Sequence, residues 1–426
     1  MTKVIIVGGG WAGCAAALTA KKAGAEVTVI ERTDMLIGLG NVGGIMRNNG
    51  RYTAAEENIH LGAGELFEIT DNASKHKNVE FPGHKHASLY DVTKVEPEVR
   101  KLLRERGINI MLESRVNDII MEDKKIKGIV IADGNIIEGD IFIETTGSTG
   151  PMGNCTRYGN GCAMCILRCP SFGPRISISM RAGVEDILGQ RGDGSYGAFS
   201  GSCELSKDSL SKEIREKLDR EGVAILPVPQ EDINLEKLDL KVCQQYSLKE
   251  FSENIILLDT GHIKLMTPFY PLEKLRKIEG LERARYEDPY SGGKGNSVRY
   301  LSIAPRNNAL KVDGVDNLLC AGEKSGLFVG HTEAISTGSL AGHNSVRLSL
   351  GMPLLELPRN TAIGDIIAYA NEEIKNKEGL KKRYTFAGSI FFDRMKMIGT
   401  YIIDTEEIKR KIQRLDLLNI YNERLV

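Results

Sequence analysis

A chain of 426 residues with 41% hydrophobic and 27% charged residues is globular and too long for one ordinary core, so two or three domains are expected. Its 56 basic and 57 acidic side chains leave a formal charge of -1, which removes any global attraction to nucleic acid or to an anionic membrane. The opening MTKVIIVGGG carries no secretory pattern, and the most apolar stretch, Ser389 to Ile403, is broken by Asp393, Arg394 and Lys396, so a cytoplasmic protein without a membrane span is expected. In that reducing setting eight cysteines direct attention to metal or redox chemistry rather than disulfides.

Val4 to Val7 reads as a buried parallel strand, and Gly8, Gly10 and Gly13 follow it in G-x-G-x-x-G spacing. The first glycine allows a tight turn, the second lets a pyrophosphate approach the backbone, and the third lets the helix over Ala12 to Ala23 pack against the strand. A second strand, Glu26 to Ile30, ends at Glu31, the expected acceptor for a ribose hydroxyl, with Arg32 beside it. The glycine-rich loop Gly38 to Asn49, with Gly43, Gly44 and Arg47, is expected to cover a flavin or a pyrophosphate, or else to be a mobile surface loop. His84 and His86 read as solvent-exposed loop residues rather than metal ligands. A helix over Leu89 to Arg106, strands over Ile108 to Leu112 and Ile126 to Ala132, and a strand from Ile141 to Gly147 form a second unit, which favours FAD over NAD.

Cys155, Cys162, Cys165 and Cys169 then fall close together, and Pro170 follows the last of them. The run C-x2-C-x3-C-P matches the tail of the bacterial ferredoxin pattern and points to a [4Fe-4S] cluster with Cys155 as fourth ligand. Structural zinc, a redox dithiol of Cys162 and Cys165, and inert buried thiols are the competing readings. Arg157, Arg168 and Arg175 surround the cluster, where they offset its charge or stand as ordinary surface residues. Cys14 and Cys320 read as core residues, and Cys243 has no motif around it.

Ser206 to Gly222 reads as an exposed charged helix. Asn317 to Cys320 is another buried strand, followed by Ala321, Gly322 and Glu323, a loop to Gly330, and a helix from Thr332 whose N-terminus would face a flavin ring. His331, just before that helix, is placed to touch the flavin or a substrate, or to cap the loop. Two further helices, Ala362 to Lys375 and Glu406 to Leu418, close the chain. Lys409, Arg410, Lys411 and Arg414 give the last one a basic face that is either simply solvated or docks RNA.

The segments GGGWAGCAAALTAKKAGAEVTVIER, Thr145 to Gly147 (TTG) and NLLCAGEKSGLFVGHTEAISTGSLAG resemble the FAD-dependent oxidoreductases related to glucose-inhibited division protein A. Asn360 to Gly364 (NTAIG) is similar to a segment of the folate- and FAD-dependent tRNA methyltransferase branch. The resemblance spans Met1 to Asp71 and Asp313 to Ile367; it implies FAD, and in the methyltransferase branch a cysteine nucleophile, for which Cys203 in FSGSCELS is the candidate. The better-known branches lack the cysteine cluster. The expected fold class is α/β: a Rossmann-type FAD-binding domain (1–150 and 311–358) interrupted by an α+β substrate and iron-sulfur domain (151–310), with a helical C-terminal region (359–426). The expected function is an iron-sulfur flavoenzyme exchanging electrons or hydride with a small-molecule substrate or a redox partner protein. The alternative is a folate- and FAD-dependent RNA uridine methyltransferase. The oligomeric state is left open.

Overall fold

The computed structural model describes residues 1–147, 169–199, 203–268, 270–287 and 298–426. Strand β1 (Lys3–Val7) leads through the glycine loop into helix α1 (Trp11–Lys22) and strand β2 (Glu26–Ile30). A short helix α2 (Gly40–Gly43) and strand β3 (Ile45–Met46) occupy the stretch read as a glycine-rich loop, and helix α3 (Gly50–Leu61) comes directly after it. After a further helix, Glu65–Asn72, comes a hairpin of β4 (Ser74–Phe81) and β5 (His84–Tyr90), which pairs with β3. His84 and His86 therefore stand on a strand, not in a loop, and His84 is buried. The following helix, α4 (Val92–Glu105), starts three residues later than its apolar pattern implied. Asp91 caps it by accepting from Thr93 N, while Leu89 and Tyr90 still belong to the hairpin.

Strand β6 (Asn109–Met111), the three-stranded meander β7 (Val116–Glu122), β8 (Lys125–Ile131) and β9 (Ile136–Glu138), and strand β10 (Ile141–Glu144) complete the first half. The middle of the chain contributes an antiparallel sheet of β11 (Cys203–Leu205), β12 (Val223–Pro227), β13 (Asn254–Thr260) and β14 (His262–Leu265), in the order β11-β14-β13-β12. Helix α5 (Lys212–Glu221) packs on it and is shorter than the periodicity suggested, because Ser211 caps it by accepting from Ile214 N. Strand β15 (Leu318–Cys320) then returns to the first domain, and α6 (His331–Ser349), α7 (Ala362–Glu373) and α8 (Thr405–Arg414) come after it.

The central sheet has the order β15-β10-β1-β2-β6 and all its pairings are parallel. Strands β1, β10 and β15 are almost wholly buried, which explains their apolar runs, whereas the edge strand β6 is only partly covered. Val7 pairs with Ile30 and with Glu144, and Glu144 with Cys320, so four strand ends open on one side where the connections diverge. Helices α1 and α6 pack through small residues: a Cβ added at Gly338 would lie 2.2 Å from Ala12 O, and Thr19 Oγ1 donates to Ser339 O at 2.9 Å. In the inserted sheet, Cys203 and Leu205 face an apolar cluster with Leu218 and Leu257, whereas Glu204 and Lys264, paired across β11 and β14, occupy the opposite face.

At the C-terminal end the fully buried Glu57 of α3 accepts from Ala362 N (2.9 Å) and Ile363 N (3.0 Å), capping α7. Lys411 Nζ reaches the same carboxylate at 3.2 Å. One charge of the basic face on α8 is thus committed inside the fold, while Lys409, Arg410 and Arg414 stay exposed. No helix among the described residues is long and apolar enough to cross a membrane.

Candidate functional site

A cleft of about 770 Å³ opens at the carboxyl ends of β1, β2 and β10. Gly8 sits at φ +110°, and a Cβ there would lie 2.4 Å from Thr145 O. A Cβ on Gly13 would lie 1.9 Å from Gly8 O, so turn and helix touch backbone to backbone. Gly10 differs: a Cβ there would meet nothing within 4 Å and would project toward the cleft that Gly10 lines, the space a pyrophosphate needs. Gly10 is also the N-cap of α1 and supplies no side-chain cap, leaving first-turn N–H groups for a ligand. Glu31 is held at the tip of β2 by two backbone donors, Gly9 N to Oε2 (2.7 Å) and Thr33 N to Oε1 (2.8 Å). Its remaining lone pairs suit a ribose diol.

The opposite wall comes from α2, the start of α6 and the inserted sheet. Tyr90 Oη donates to Gly40 O at 2.7 Å, and Lys264 Nζ donates to Val42 O, so hairpin and inserted sheet both hold the α2 turn. Gly43 allows His331 in, since a Cβ at Gly43 would lie 1.7 Å from the ring. The His331 ring centroid stands 6.1 Å from that of Trp11 and 6.3 Å from that of Tyr90. Below them Arg51 pairs with Glu333 at 3.1 Å, with both side chains almost wholly buried. Arg51 also donates to Val329 O (2.9 Å) and Asn48 Oδ1 (3.1 Å), while Glu333 accepts from Thr385 Oγ1 (2.7 Å) and Phe386 N (2.9 Å). Burial opposes the charge on Arg51, but the Glu333 carboxylate holds its guanidinium above the usual value.

Segment 241–246 supplies the last face. Lys241 is buried, donates to Met266 O at 2.8 Å and lies 5.3 Å from the Phe251 ring centroid. Burial pushes its ammonium down to about 8. Cys243, Gln245 and Tyr246 line the cleft. Behind them His84 Nε2 donates to Gln245 O (3.0 Å), while Asn48 Nδ2 donates to His84 Nδ1 (2.9 Å). Burial lowers His84 to about 3, and protonation would set an N–H of Nδ1 against the Asn48 amide. Between pH 3 and the ordinary histidine value the unfolded chain binds this proton and the native chain does not, so stability falls as pH drops through that window. His84→Phe should flatten this acid limb; an unchanged slope of melting temperature against pH would remove His84 as its source.

Of the residues expected from sequence, Gly8, Gly10, Glu31, Arg32, Gly43 and Gly147 line the cleft, joined by Gly322, Glu323, Gly330 and His331 from the far end of the chain. Gly13, Gly44 and the buried Thr332 lie behind its walls. Arg47 turns away to pair with Glu56 and Asp71, and Arg175 lines the cleft near Gly147. Cys203 is buried in the apolar cluster of the inserted sheet, off the cleft, and among the described residues the cysteine on the cleft wall is Cys243. Cys14 and Cys320 are buried and both thiols are pushed up to about 12. Arg51, Lys264, Gln245 and Tyr246 belong to no motif and were not singled out by sequence.

The family described as Glucose inhibited division protein A matches residues 3–244 and 263–353. Two curated relatives are named tRNA uridine 5-carboxymethylaminomethyl modification enzyme MnmG. That of Alkaliphilus metalliredigens is 22% identical over 99% of this chain and 76% of its own length. That of Alkaliphilus oremlandii is 21% identical over 98% of this chain and 76% of its own. Two crystal forms of Aquifex aeolicus GidA share the fold, with TM-scores of 0.65 and 0.64 at 16% and 15% identity, over 97% of this chain and 76% and 78% of theirs. These matches overturn the iron-sulfur oxidoreductase expected from cysteine spacing, because relatives aligned along nearly the whole chain are named for tRNA uridine modification. Spacing constrains where sulfurs can point and carries no information on whether an ion binds them. Cys155, Cys162 and Cys165 lie outside the described residues, as do Arg157 and Arg168, and Cys169 opens a short helix, Cys169–Phe172. Among the described residues no group of three or more His, Cys, Asp or Glu is arranged to hold a metal.

Proposed function

The chain belongs to the Glucose inhibited division protein A family, and from that premise we propose that it is an FAD-dependent enzyme that modifies a uridine of tRNA. The observation that carries this reading is the family match over residues 3–244 and 263–353, and it is supported by a cleft at the strand ends lined by Gly8, Gly10 and Glu31. The FAD-binding unit comprises residues 1–150 and 311–358, and the substrate-binding unit is the insertion 151–310, with a helical region from 359 onward. Gly8, Gly10 and the first turn of α1 would hold the pyrophosphate, and Glu31 the adenosine ribose. FAD, when bound, supplies transfer of an electron pair or hydride. The protein's own contributions are the uncapped start of α6 at Gly330, whose partial positive charge favours negative charge in the ring, and a wall that includes Lys264, Tyr246 and Cys243 on the insertion side. The exposed Lys409, Arg410 and Arg414 on α8 offer phosphate contacts for the RNA.

The test is nucleoside analysis of tRNA from cells lacking the gene, with and without complementation. One modified uridine should disappear on deletion and return with the wild-type gene, and Glu31→Ala should restore it poorly. Purified Glu31→Ala should bind FAD roughly tenfold or more weakly, as expected when a charged acceptor for a hydroxyl pair is lost. An unchanged set of uridine nucleosides after deletion would sink the proposal.

A further inference from the structure

Gln245 presents a contrast with its own neighbour. Both polar atoms of the Gln244 carboxamide are engaged: Nε2 donates to Lys381 O at 3.3 Å, and Oε1 accepts from Arg383 N at 3.0 Å. Gln245 is only 3% exposed and lines the cleft, yet its Oε1 is buried with no hydrogen-bond partner among the described residues. Its backbone is fixed. His84 Nε2 donates to its carbonyl, and Gly388 packs so closely that a Cβ there would lie 2.7 Å from Gln245 Cβ. A buried carboxamide on the cleft wall whose oxygen the protein leaves without a donor is a group that a ligand can complete.

The shape of the group narrows that ligand. A carboxamide offers one acceptor and, beside it in the same plane, a donor. A phosphate or carboxylate would satisfy the donor and repel the acceptor, and hydrocarbon would satisfy neither. A cyclic imide satisfies both at once, with its N–H facing Oε1 and an adjacent carbonyl facing Nε2, in the two-bond geometry by which amide side chains read base edges. We propose that Gln245 recognises such an imide edge, the N–H and C=O pair shared by the pyrimidine ring of a flavin and by uracil. Adenine has a comparable pair, but Glu31 holds the adenosine end at the tip of β2, whereas Gln245 stands with Lys264 and Tyr246 on the wall formed by the insertion. The inference rests on the reading of the cleft as a flavin and uridine site.

The test uses N3-methylation, which replaces the imide N–H. The apo-protein is titrated with FAD and with N3-methyl-FAD, and the FAD-loaded protein with uridine 5′-monophosphate and its N3-methyl derivative, each followed by flavin fluorescence. If the edge is the flavin's, FAD binds roughly tenfold tighter than its methylated form, and Gln245→Leu abolishes that preference. If the edge is uracil's, the preference and its loss appear in the nucleotide series alone. No preference in either series, or one that survives Gln245→Leu, overturns the assignment. Apo Gln245→Leu should melt no lower than wild type, because leucine removes an unmatched buried amide. A clear drop in its melting temperature would make Gln245 part of the scaffold and overturn the proposal too. A protein that binds neither flavin defeats the FAD reading itself; the nucleotide series, repeated by calorimetry on the apo-protein, then decides for Gln245.

Discussion

Glu333→Ala should destabilise the protein by about 3–5 kcal/mol, among the largest effects of any single substitution here. Arg51 and Glu333 sit almost wholly out of water, 3.1 Å apart, between α3 and the first turn of α6. Removing the carboxylate strands a buried guanidinium and also leaves Thr385 Oγ1 and Phe386 N without their acceptor. The cause can be separated from simple loss of packing. Arg51→Met combined with Glu333→Ala removes the stranded charge and should recover a large part of the loss, measured as the midpoint of urea unfolding. If the double variant is as unstable as the single one, the uncompensated charge is not the reason.

Gly13→Val should reduce FAD affinity by roughly a hundredfold or more, equivalent to about 3 kcal/mol, and lower the melting temperature as well. The added Cβ would lie 1.9 Å from Gly8 O, and both sides of that contact are backbone, so the turn itself has to open. Gly10→Ala provides the comparison. Its Cβ meets no atom within 4 Å and its φ of -67° suits alanine, so the variant should fold normally and lose FAD affinity only because the methyl enters the cleft. Calorimetry of both apo-proteins beside fluorescence titrations would show whether the two effects separate in this way.

The glycine turn and the strand end that follows it were legible because their determinants are local. Gly8, Gly10 and Gly13 act over a few residues, and Glu31 is placed by the strand that precedes it. The other wall was illegible because it is assembled by distant pairings. Lys264 reaches Val42 only because β14 pairs with β11 and β13, and Gln245, in a short helical turn, is positioned by a histidine on β5. His84 looked like a loop residue because β4 and β5 pair with repeated register shifts, which erase the alternation of polar and apolar residues that marks a hairpin. The cysteine spacing misled for a different reason: a local pattern specified a geometry, and a ligand was inferred from it. Arg47, read as part of a loop over a flavin or pyrophosphate or of a mobile surface loop, and Lys411, read as part of a solvated or RNA-docking face, are both paired with carboxylates contributed by α3.

The sheet order has a consequence for biosynthesis. Strand β10 ends at Glu144, but its outer neighbour β15 begins at Leu318, and α6, whose small residues interlock with α1, ends only at Ser349. At roughly 5–20 residues per second, a ribosome needs about 10–40 s to travel from the end of β10 to the end of α6. Throughout that interval the nascent nucleotide domain carries an unpaired edge on β10 and an uncovered face on α1. The inserted sheet, all of whose strands emerge earlier, is free to form first, so the cleft closes only after the whole insertion has been made.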